Sequence, residues 1–326
     1  MSAASPTPVT NANAAVRANA EAWRYLAIAF PLSWALWIPV LIWGENPVFL
    51  NLGGGPALAA MWLSASDHSW RANPARLAAF ALLTPLCWII AVLNVGLGAG
   101  PHPTLHFNPW LLVPSAISAW IVSGVFSRDS GLRCLLRTLI VPRDWLWCLI
   151  SLAFLPAMVL LSALLGRILR LPVSNPLHDA PPGAALAVVA ITFVHYLFFT
   201  AIFEEPGWRG FLLPRLQLRY SPLMATVLVW LPWALWHLPL DIRRPGGWTL
   251  LSLLELRGPA LFASALLLTW FYNRSRGALL SSVLFHAAMG SFPFLLPRSI
   301  LVAPLVIAWA IAIIFLDRMW LRPRAG

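Results

Sequence analysis

The sequence predicts an all-α protein, a polytopic transmembrane helical bundle of about eight to ten membrane segments. The chain of 326 residues is 60% hydrophobic, only 10% of its residues are charged, and long apolar runs recur along it. Soluble domains carry about 25% charged residues, so this composition excludes a soluble globular enzyme. A helix that crosses the bilayer needs about 20 residues, and the chain is long enough for eight to ten such helices with their loops.

The order of the runs divides the chain into four regions. Residues 1–22 are polar and alanine-rich, and we expect a disordered cytoplasmic tail. N-terminal transmembrane helices follow in 23–180, a second set of core helices in 181–317, and a cytoplasmic C-terminal tail in 318–326. The apolar runs cover residues 25–43, 53–64, 77–97, 110–126, 145–165, 184–203, 223–240, 248–272, 278–296 and 301–316. Runs 53–64 and 223–240 are short, so we expect tilted, re-entrant or broken helices there.

The charges predict the orientation of the chain. Its 22 basic residues are all arginines and face 11 acids, giving a formal net charge of +11. With ten spans and a cytoplasmic N-terminus, sixteen arginines fall on the cytoplasmic side and five on the other, so both termini are predicted to be cytoplasmic. The arginines are scattered between apolar blocks, which predicts no nucleic-acid partner. A chain rich in alanine, arginine and tryptophan and lacking lysine is typical of a bacterial gene, so we expect an integral protein of the bacterial plasma membrane.

Ionisable residues inside the apolar runs are the candidate functional residues, because an acid at a helix centre costs about 2.5 to 3.5 kcal/mol. They all lie in the C-terminal half of the chain: His195, Glu204, Glu205, His237, Glu255, Arg257 and His286. His195 precedes Glu204 by nine residues, which are two and a half turns of an ideal helix and place the two side chains about 180° apart. We therefore expect His195 to pack away from any pocket that Glu204 faces.

The densest cluster is the segment FEEPGWRG at residues 203–210. Glu205 and Arg209 are four residues apart, about 40° around a helix, so they are predicted to form an ion pair. Glu204 lies about 140° from Arg209 and is left for reaction. Pro206 removes a backbone hydrogen bond and is predicted to kink the helix at this point.

Two histidines lie on separate apolar runs. His237 closes the segment WLPWALWH, with Trp233 one turn earlier, and His286 stands in SSVLFHAAMG among small residues. Convergence of Glu204, His237 and His286 allows two chemistries. In one, the three side chains hold a zinc ion that activates water. In the other, Glu204 takes a proton from water and the histidines stabilise the oxyanion, with no metal.

These three segments together resemble the motifs of the CAAX prenyl endopeptidase and bacteriocin-processing (CPBP) family of intramembrane proteases. Residues 204–209 resemble its EExxxR motif, residues 233–237 its second motif, an aromatic residue followed by xxxH, and residues 286–290 its third, HxxxN. The resemblance implies that residues 181–317 are a CPBP-like catalytic core in an eight-helix-type bundle that hydrolyses peptide bonds near the membrane face.

The resemblance also implies a role for each motif residue. Glu204 activates water, and His237 and His286 assist it. If a metal is bound, the same three residues are its ligands, and zinc is the expected metal. Glu205, Arg209 and Trp233 provide structural support. The implied partners are the lipid bilayer and a peptide or protein substrate in the membrane: a prenylated CAAX-like, bacteriocin-like or other membrane-associated peptide.

The third motif departs from the family, because Gly290 stands where the family usually has asparagine. Loss of an oxyanion-hole amide costs about 10²- to 10³-fold in rate. Ser282 lies one turn before His286 on the same face and is the expected replacement. Two other functions stay open at this point: a non-catalytic membrane scaffold or immunity protein, which Gly290 favours, and a small-solute transporter with its buried acids on a permeation path.

Overall fold

The apolar runs form helices in the computed structural model, which describes residues 8–44, 46–66, 73–98, 107–141, 143–242 and 258–322. The helices are α1 (Pro8–Trp43), α2 (Pro47–Leu50), α3 (Gly55–Ser64), α4 (Pro74–Gly98), α5 (Leu112–Ser123), α6 (Ser130–Leu136), α7 (Trp145–Ile168), α8 (Pro182–Tyr196), α9 (Ile202–Gly207), α10 (Leu213–Gln217), α11 (Pro222–Trp236), α12 (Leu238–Ile242), α13 (Pro259–Arg274), α14 (Leu279–Leu295) and α15 (Val302–Leu316). Short 3₁₀ turns lie at Pro109–Leu111, Gly124–Phe126 and Arg137–Leu139. Strands β1 (Val173–Ser174) and β2 (Arg298–Ser299) form an antiparallel pair in which Val173 is opposite Ser299.

The all-α, polytopic fold class is confirmed. Within the described residues, five helical segments are long and apolar enough to cross a membrane: Val16–Trp43, Pro74–Leu97, Pro109–Phe126, Trp145–Ile168 and Pro182–Gln217. Four shorter apolar helices accompany them: Val48–Ser64, Pro222–Trp236, Leu279–Leu295 and Val302–Leu316. The two runs that were predicted to be irregular because of their length are among these shorter helices.

The N-terminal segment differs from the expectation, because α1 begins at Pro8 and residues 8–22 are helical. Ala18 and Ala22 are buried, and the Glu21 carboxylate accepts a hydrogen bond from Arg215 Nε. Packing and an ion pair with the bundle therefore order a segment whose polar composition predicts disorder. Residue 180 falls in the connection between α7 and α8.

Helix α3 lies inside the bundle, where it packs against both α1 and α9. Gly55 permits its contact with α1, since a Cβ atom there would lie 2.9 Å from the Ser33 backbone nitrogen. Helix α14 packs against α7 and α8. Large buried aromatic side chains fill the centre, among them Trp37, Trp208, Trp233 and Trp236.

Residues Pro182–Gln217 form one continuous helical segment of 36 residues. The kink predicted at Pro206 stays a prediction; the structure shows a π turn before this residue, Leu197–Ala201, and another after it, Trp208–Leu212. Proline supplies no N–H to the helix, and π turns are local widenings that accommodate such defects and often lie at functional sites. This segment carries the first motif through the centre of the bundle.

Candidate active site

Glu204, Trp233, His237 and His286 all line one cavity of about 640 Å³. The rest of its wall is mainly apolar, with side chains from α1, α4, α8, α11 and α14. The structure thus brings together the three residues that the sequence places on separate helices.

Glu205 and Arg209 lie behind the cavity wall. Glu205 Oε1 accepts a hydrogen bond from Arg209 Nη1 at 3.1 Å, and both side chains are completely buried. Neither residue is among those that line the cavity. The ion pair predicted from the i, i+4 spacing is confirmed, and it leaves Glu204 as the carboxylate of this pair that faces the cavity.

Trp233 orients the Glu204 carboxylate. The indole Nε1 donates a hydrogen bond to Glu204 Oε2 at 2.6 Å, although Glu204 is only 3% exposed. The other carboxylate oxygen, Oε1, lies 4.0 Å from His286 Nε2. The Arg209 guanidinium carbon lies 4.7 Å from the centre of the Trp233 ring, so Trp233 contacts both the Glu204 carboxylate and the ion pair behind it.

His286 is held by the second glutamate. Its Nδ1 lies 2.6 Å from Glu205 Oε1, and because an ionised carboxylate only accepts hydrogen bonds, Nδ1 is the donor. The imidazole is thereby turned so that Nε2 points towards Glu204. Glu205 therefore positions both Arg209 and His286, a contact across 81 residues that the linear spacing does not indicate.

His237 stands at the end of α11 and caps it. Its Nδ1 donates a hydrogen bond to the Trp233 carbonyl oxygen at 2.8 Å, and its ring lies 4.8 Å from that of Trp236. The cap turns the chain into α12 and sets the imidazole at the cavity wall. His237 is partly exposed, whereas Glu204 and His286 are buried.

The zinc set of Glu204, His237 and His286 stays a prediction. Within the described ranges, no group of three or more histidine, cysteine, aspartate or glutamate side chains is spaced to hold a metal ion. Glu204 and His286 face each other, and His286 and His237 each form a hydrogen bond through Nδ1, to Glu205 and to the Trp233 carbonyl oxygen respectively. A histidine that binds a metal usually donates its other ring N–H in this way.

His195 and its neighbour Tyr196 also line the cavity. His195 was predicted to pack away from Glu204, and that prediction is wrong. The reasoning assumed an ideal α-helix, whereas the intervening turn Leu197–Ala201 is a π turn. A π turn takes more residues per turn, so it rotates His195 towards the face of Glu204. Nothing in the residue pattern signalled this turn.

The wall near the third motif differs from the expectation as well. A Cβ atom on Gly290 would lie within 2.7 Å of three ring carbons of Tyr196, so the tyrosine ring occupies the space of a side chain at 290. Ser282, the expected oxyanion support, is fully buried and is not among the lining residues. Ser282 precedes His286 by four residues, which is about 6 Å along the helix. It therefore lies one turn away from the cavity, in the packing between helices. Glu255 and Arg257 lie outside the described residues.

The comparisons with known proteins agree with this geometry. The model of the type II CAAX prenyl endopeptidase Rce1-like family matches residues 185–292, a range that contains all three motifs. CAAX prenyl protease 2 from Methanococcus maripaludis is 26% identical over 186 residues, which cover 54% of this chain and 68% of that protein. Both findings support a membrane protease. The resemblance drawn from the three motifs is confirmed: over residues 185–292 this chain is similar to the Rce1-like type II CAAX prenyl endopeptidases.

Proposed function

We propose that this chain is a membrane-embedded endopeptidase in which Glu204 activates water. One observation carries the proposal: of the two adjacent glutamates, Glu204 faces a central cavity beside His286 and His237, whereas Glu205 is engaged behind the wall. An ionisable side chain within a membrane bundle is energetically costly, so its presence there indicates a functional role. The hydrogen bond from Trp233 holds the Glu204 carboxylate in one orientation.

The proposed reaction uses water and side chains alone. Glu204 accepts a proton from water, and the hydroxide formed attacks the carbonyl carbon of the substrate peptide bond. Negative charge develops on the carbonyl oxygen, to which His286 and His237 donate hydrogen bonds from Nε2. Each imidazole must carry a proton on both nitrogens for this step, because Nδ1–H is already engaged by Glu205 or by the Trp233 carbonyl oxygen. The carbon–nitrogen bond then breaks as Glu204 passes its proton to the departing nitrogen, which leaves a new carboxyl terminus and a new amino terminus.

The cavity favours an apolar, membrane-associated peptide as the substrate. Its wall includes Trp37, Leu240, Leu261 and Phe294, and five helical segments of the described residues are long and apolar enough to cross a membrane. A prenylated CAAX-like peptide is the first candidate, because the relative from Methanococcus maripaludis is a CAAX prenyl protease 2. Bacteriocin-like peptides are the second candidate. The partners are then the bilayer and this peptide, with no nucleic acid.

We further propose that the protein resides in the bacterial plasma membrane with both termini in the cytoplasm. The distribution of arginines between alternate loops supports this orientation. On this topology the arginine-rich side, which carries Arg215 and Arg274 at the ends of their helices, faces the cytoplasm.

The test is hydrolysis by the purified protein in liposomes, with a farnesylated CAAX peptide and its non-prenylated counterpart as probes. We expect cleavage by the wild type and at least a thousandfold slower cleavage by Glu204→Gln. The glutamine variant retains an oxygen that accepts the Trp233 hydrogen bond, so it controls for folding. Equal rates for wild type and Glu204→Gln would contradict the proposal. A folded wild type that cleaves no peptide would favour the scaffold or immunity function.

A further inference from the structure

Three arginines face one cavity outside the candidate active site. Arg133 and Arg137 on α6 and its 3₁₀ extension, together with Arg143 before α7, line a space of about 400 Å³ beside the Thr138 hydroxyl. No aspartate or glutamate is among its lining residues. Three positive charges converging on one space predict an anionic occupant.

The acids that flank this cavity in the chain are engaged elsewhere. Asp129 Oδ1 accepts a hydrogen bond from the Leu132 backbone nitrogen at 2.8 Å, and its Oδ2 accepts one from that of Ser66 at 2.8 Å. Asp144 accepts one from the Trp147 backbone nitrogen and caps α7. Both carboxylates thus cap the N-termini of helices and accept hydrogen bonds from backbone N–H groups.

The three guanidinium groups differ in how they are held. Arg143 Nη1 donates a hydrogen bond to the Arg276 carbonyl oxygen at 2.8 Å, which anchors Arg143 across 133 residues. Arg133 and Arg137 are exposed and form no ion pair with the described residues. They are four residues apart, on one face of the helix, so both are available to an incoming anion.

The cavity lies where the lipid-facing surface begins. Helix α7 starts at Trp145, and the side chains of Trp145 and Leu146 are 66% and 63% exposed. Ile140 and Val141, which precede this helix, are also exposed. Exposed apolar side chains at the start of a membrane-spanning helix lie in the bilayer interface. The three guanidinium groups therefore lie at the level of lipid headgroups, on the side predicted to be cytoplasmic.

The cavity is also connected with the first-motif helix. A second cavity of about 400 Å³ shares Cys134, Thr138 and Arg143 with it and extends to Gly210 and Arg215. A Cβ atom on Gly210 would lie 2.9 Å from Leu135 Cδ1, so α6 packs directly on the segment that carries Glu204 and Arg209.

We propose that Arg133, Arg137 and Arg143 bind the phosphate group of an anionic phospholipid. Arginine presents a planar fork of N–H donors that matches phosphate oxygens, and basic pockets on the cytoplasmic side of membrane proteins bind acidic headgroups. The exposed Ile140, Val141 and Trp145 contact the acyl region of the same lipid. This site is separate from the candidate active site and does not depend on the proposed hydrolysis.

The test measures thermal unfolding of the purified full chain in nanodiscs of pure phosphatidylcholine and in nanodiscs with 30% phosphatidylglycerol. We expect the midpoint of the wild type to rise by several degrees with phosphatidylglycerol, because a ligand that binds the native state stabilises it. Arg133→Gln/Arg137→Gln should lose most of this rise. Arg167→Gln, a change at an exposed arginine at the opposite end of α7, is the control and should keep it.

Two further measurements keep the result decisive. Arg133→Lys/Arg137→Lys retains the charge, should retain part of the rise, and substitutes for the glutamine variant if that variant does not fold. Inorganic phosphate is added to the phosphatidylcholine nanodiscs as the soluble alternative. An equal rise with phosphate alone would contradict a lipid ligand. Equal midpoints in the two bilayers, or an unchanged rise in both double variants, would contradict the site.

Discussion

The ring of Tyr196 occupies the space that a side chain at Gly290 would take. A Cβ atom on Gly290 would approach three ring carbons of Tyr196 to within 2.7 Å, and both residues line the cavity that contains Glu204. The family position that usually carries asparagine is therefore filled from another helix. In this arrangement a side chain at position 290 would overlap the neighbouring ring.

Restoring asparagine at position 290 should therefore destabilise the protein. We expect Gly290→Asn to lower the free energy of unfolding by about 1 to 3 kcal/mol, the usual cost of overpacking a core. Tyr196→Ala/Gly290→Asn should recover part of the loss, because removal of the ring vacates the space. Thermal unfolding in detergent measures both. The control is Gly183→Asn, since a Cβ atom on Gly183 would meet nothing within 4 Å. Equal midpoints for Gly290→Asn and Gly183→Asn would show that the ring moves aside freely.

Gly207 in the first motif should respond differently, because its neighbour is backbone. A Cβ atom there would lie 2.6 Å from the Pro56 carbonyl oxygen, and it would also overlap the Tyr25 hydroxyl. We expect Gly207→Ala to separate α9 from α3 and to lower both the unfolding midpoint and the activity. Adding Tyr25→Phe should not restore either, since the clash with Pro56 persists. Rescue by Tyr25→Phe would show that the clash with the tyrosine hydroxyl, and not the close contact between the helices, causes the loss of stability.

The two adjacent glutamates should separate in their effects. Glu204→Gln should abolish hydrolysis with little change in the unfolding midpoint. Glu205→Gln removes a charge bonded to Arg209 and His286, and breaking a buried ion pair costs about 3 to 5 kcal/mol. Unfolding midpoints and cleavage rates of both variants test this assignment. The reverse pattern, in which Glu204→Gln unfolds the protein and Glu205→Gln does not, would contradict it.

Trp233 should act on the rate through its indole N–H. Trp233→Phe retains an aromatic ring beside Arg209 but loses the donor to Glu204 Oε2. A hydrogen bond to a charged group is worth about 1.5 to 3 kcal/mol, so we expect kcat to fall about 10- to 100-fold with KM nearly unchanged. Trp309→Phe, on the half-exposed surface of α15, is the control. A change in KM alone would indicate that Trp233 binds substrate and does not orient the carboxylate.

Metal removal should leave hydrolysis unchanged, because the proposed reaction uses only water and the side chains of Glu204, His237 and His286. We expect full activity after dialysis against EDTA and after treatment with 1,10-phenanthroline. The metal content of the protein is measured in parallel by mass spectrometry. One equivalent of zinc, loss of activity on its removal and recovery on its return would instead support the zinc set of Glu204, His237 and His286.

The residue pattern was sufficient for the local part of the site. Helical spacing predicted the pair of Glu205 and Arg209 and assigned Glu204 to the cavity, because these residues lie within two turns of one helix. Contacts between helices could not be predicted from the residue pattern. The bond between His286 and Glu205 and the place of Tyr196 over Gly290 depend on how distant helices pack.

The errors have particular physical causes. His195 was placed on the wrong face because a π turn changes the rotation between it and Glu204. Residues 8–22 were expected to be disordered because their composition is polar, yet the bond from Arg215 to Glu21 and the burial of Ala18 tie them to the bundle. Neither a π turn nor a long-range ion pair has a residue pattern that identifies it.

The most direct test of the central claim, that Glu204 makes this chain a protease, is comparative terminal proteomics of native membranes. Peptide termini are compared between the wild-type strain and a strain with a chromosomal Glu204→Gln substitution, so no substrate has to be chosen in advance. We predict termini that are present in the wild type and absent from the mutant, and their positions will identify the substrate and the side of the membrane that is cut. Identical termini in both strains, with Glu204→Gln still rescuing the phenotype of a deletion, would contradict proteolysis and favour a scaffold built on this fold.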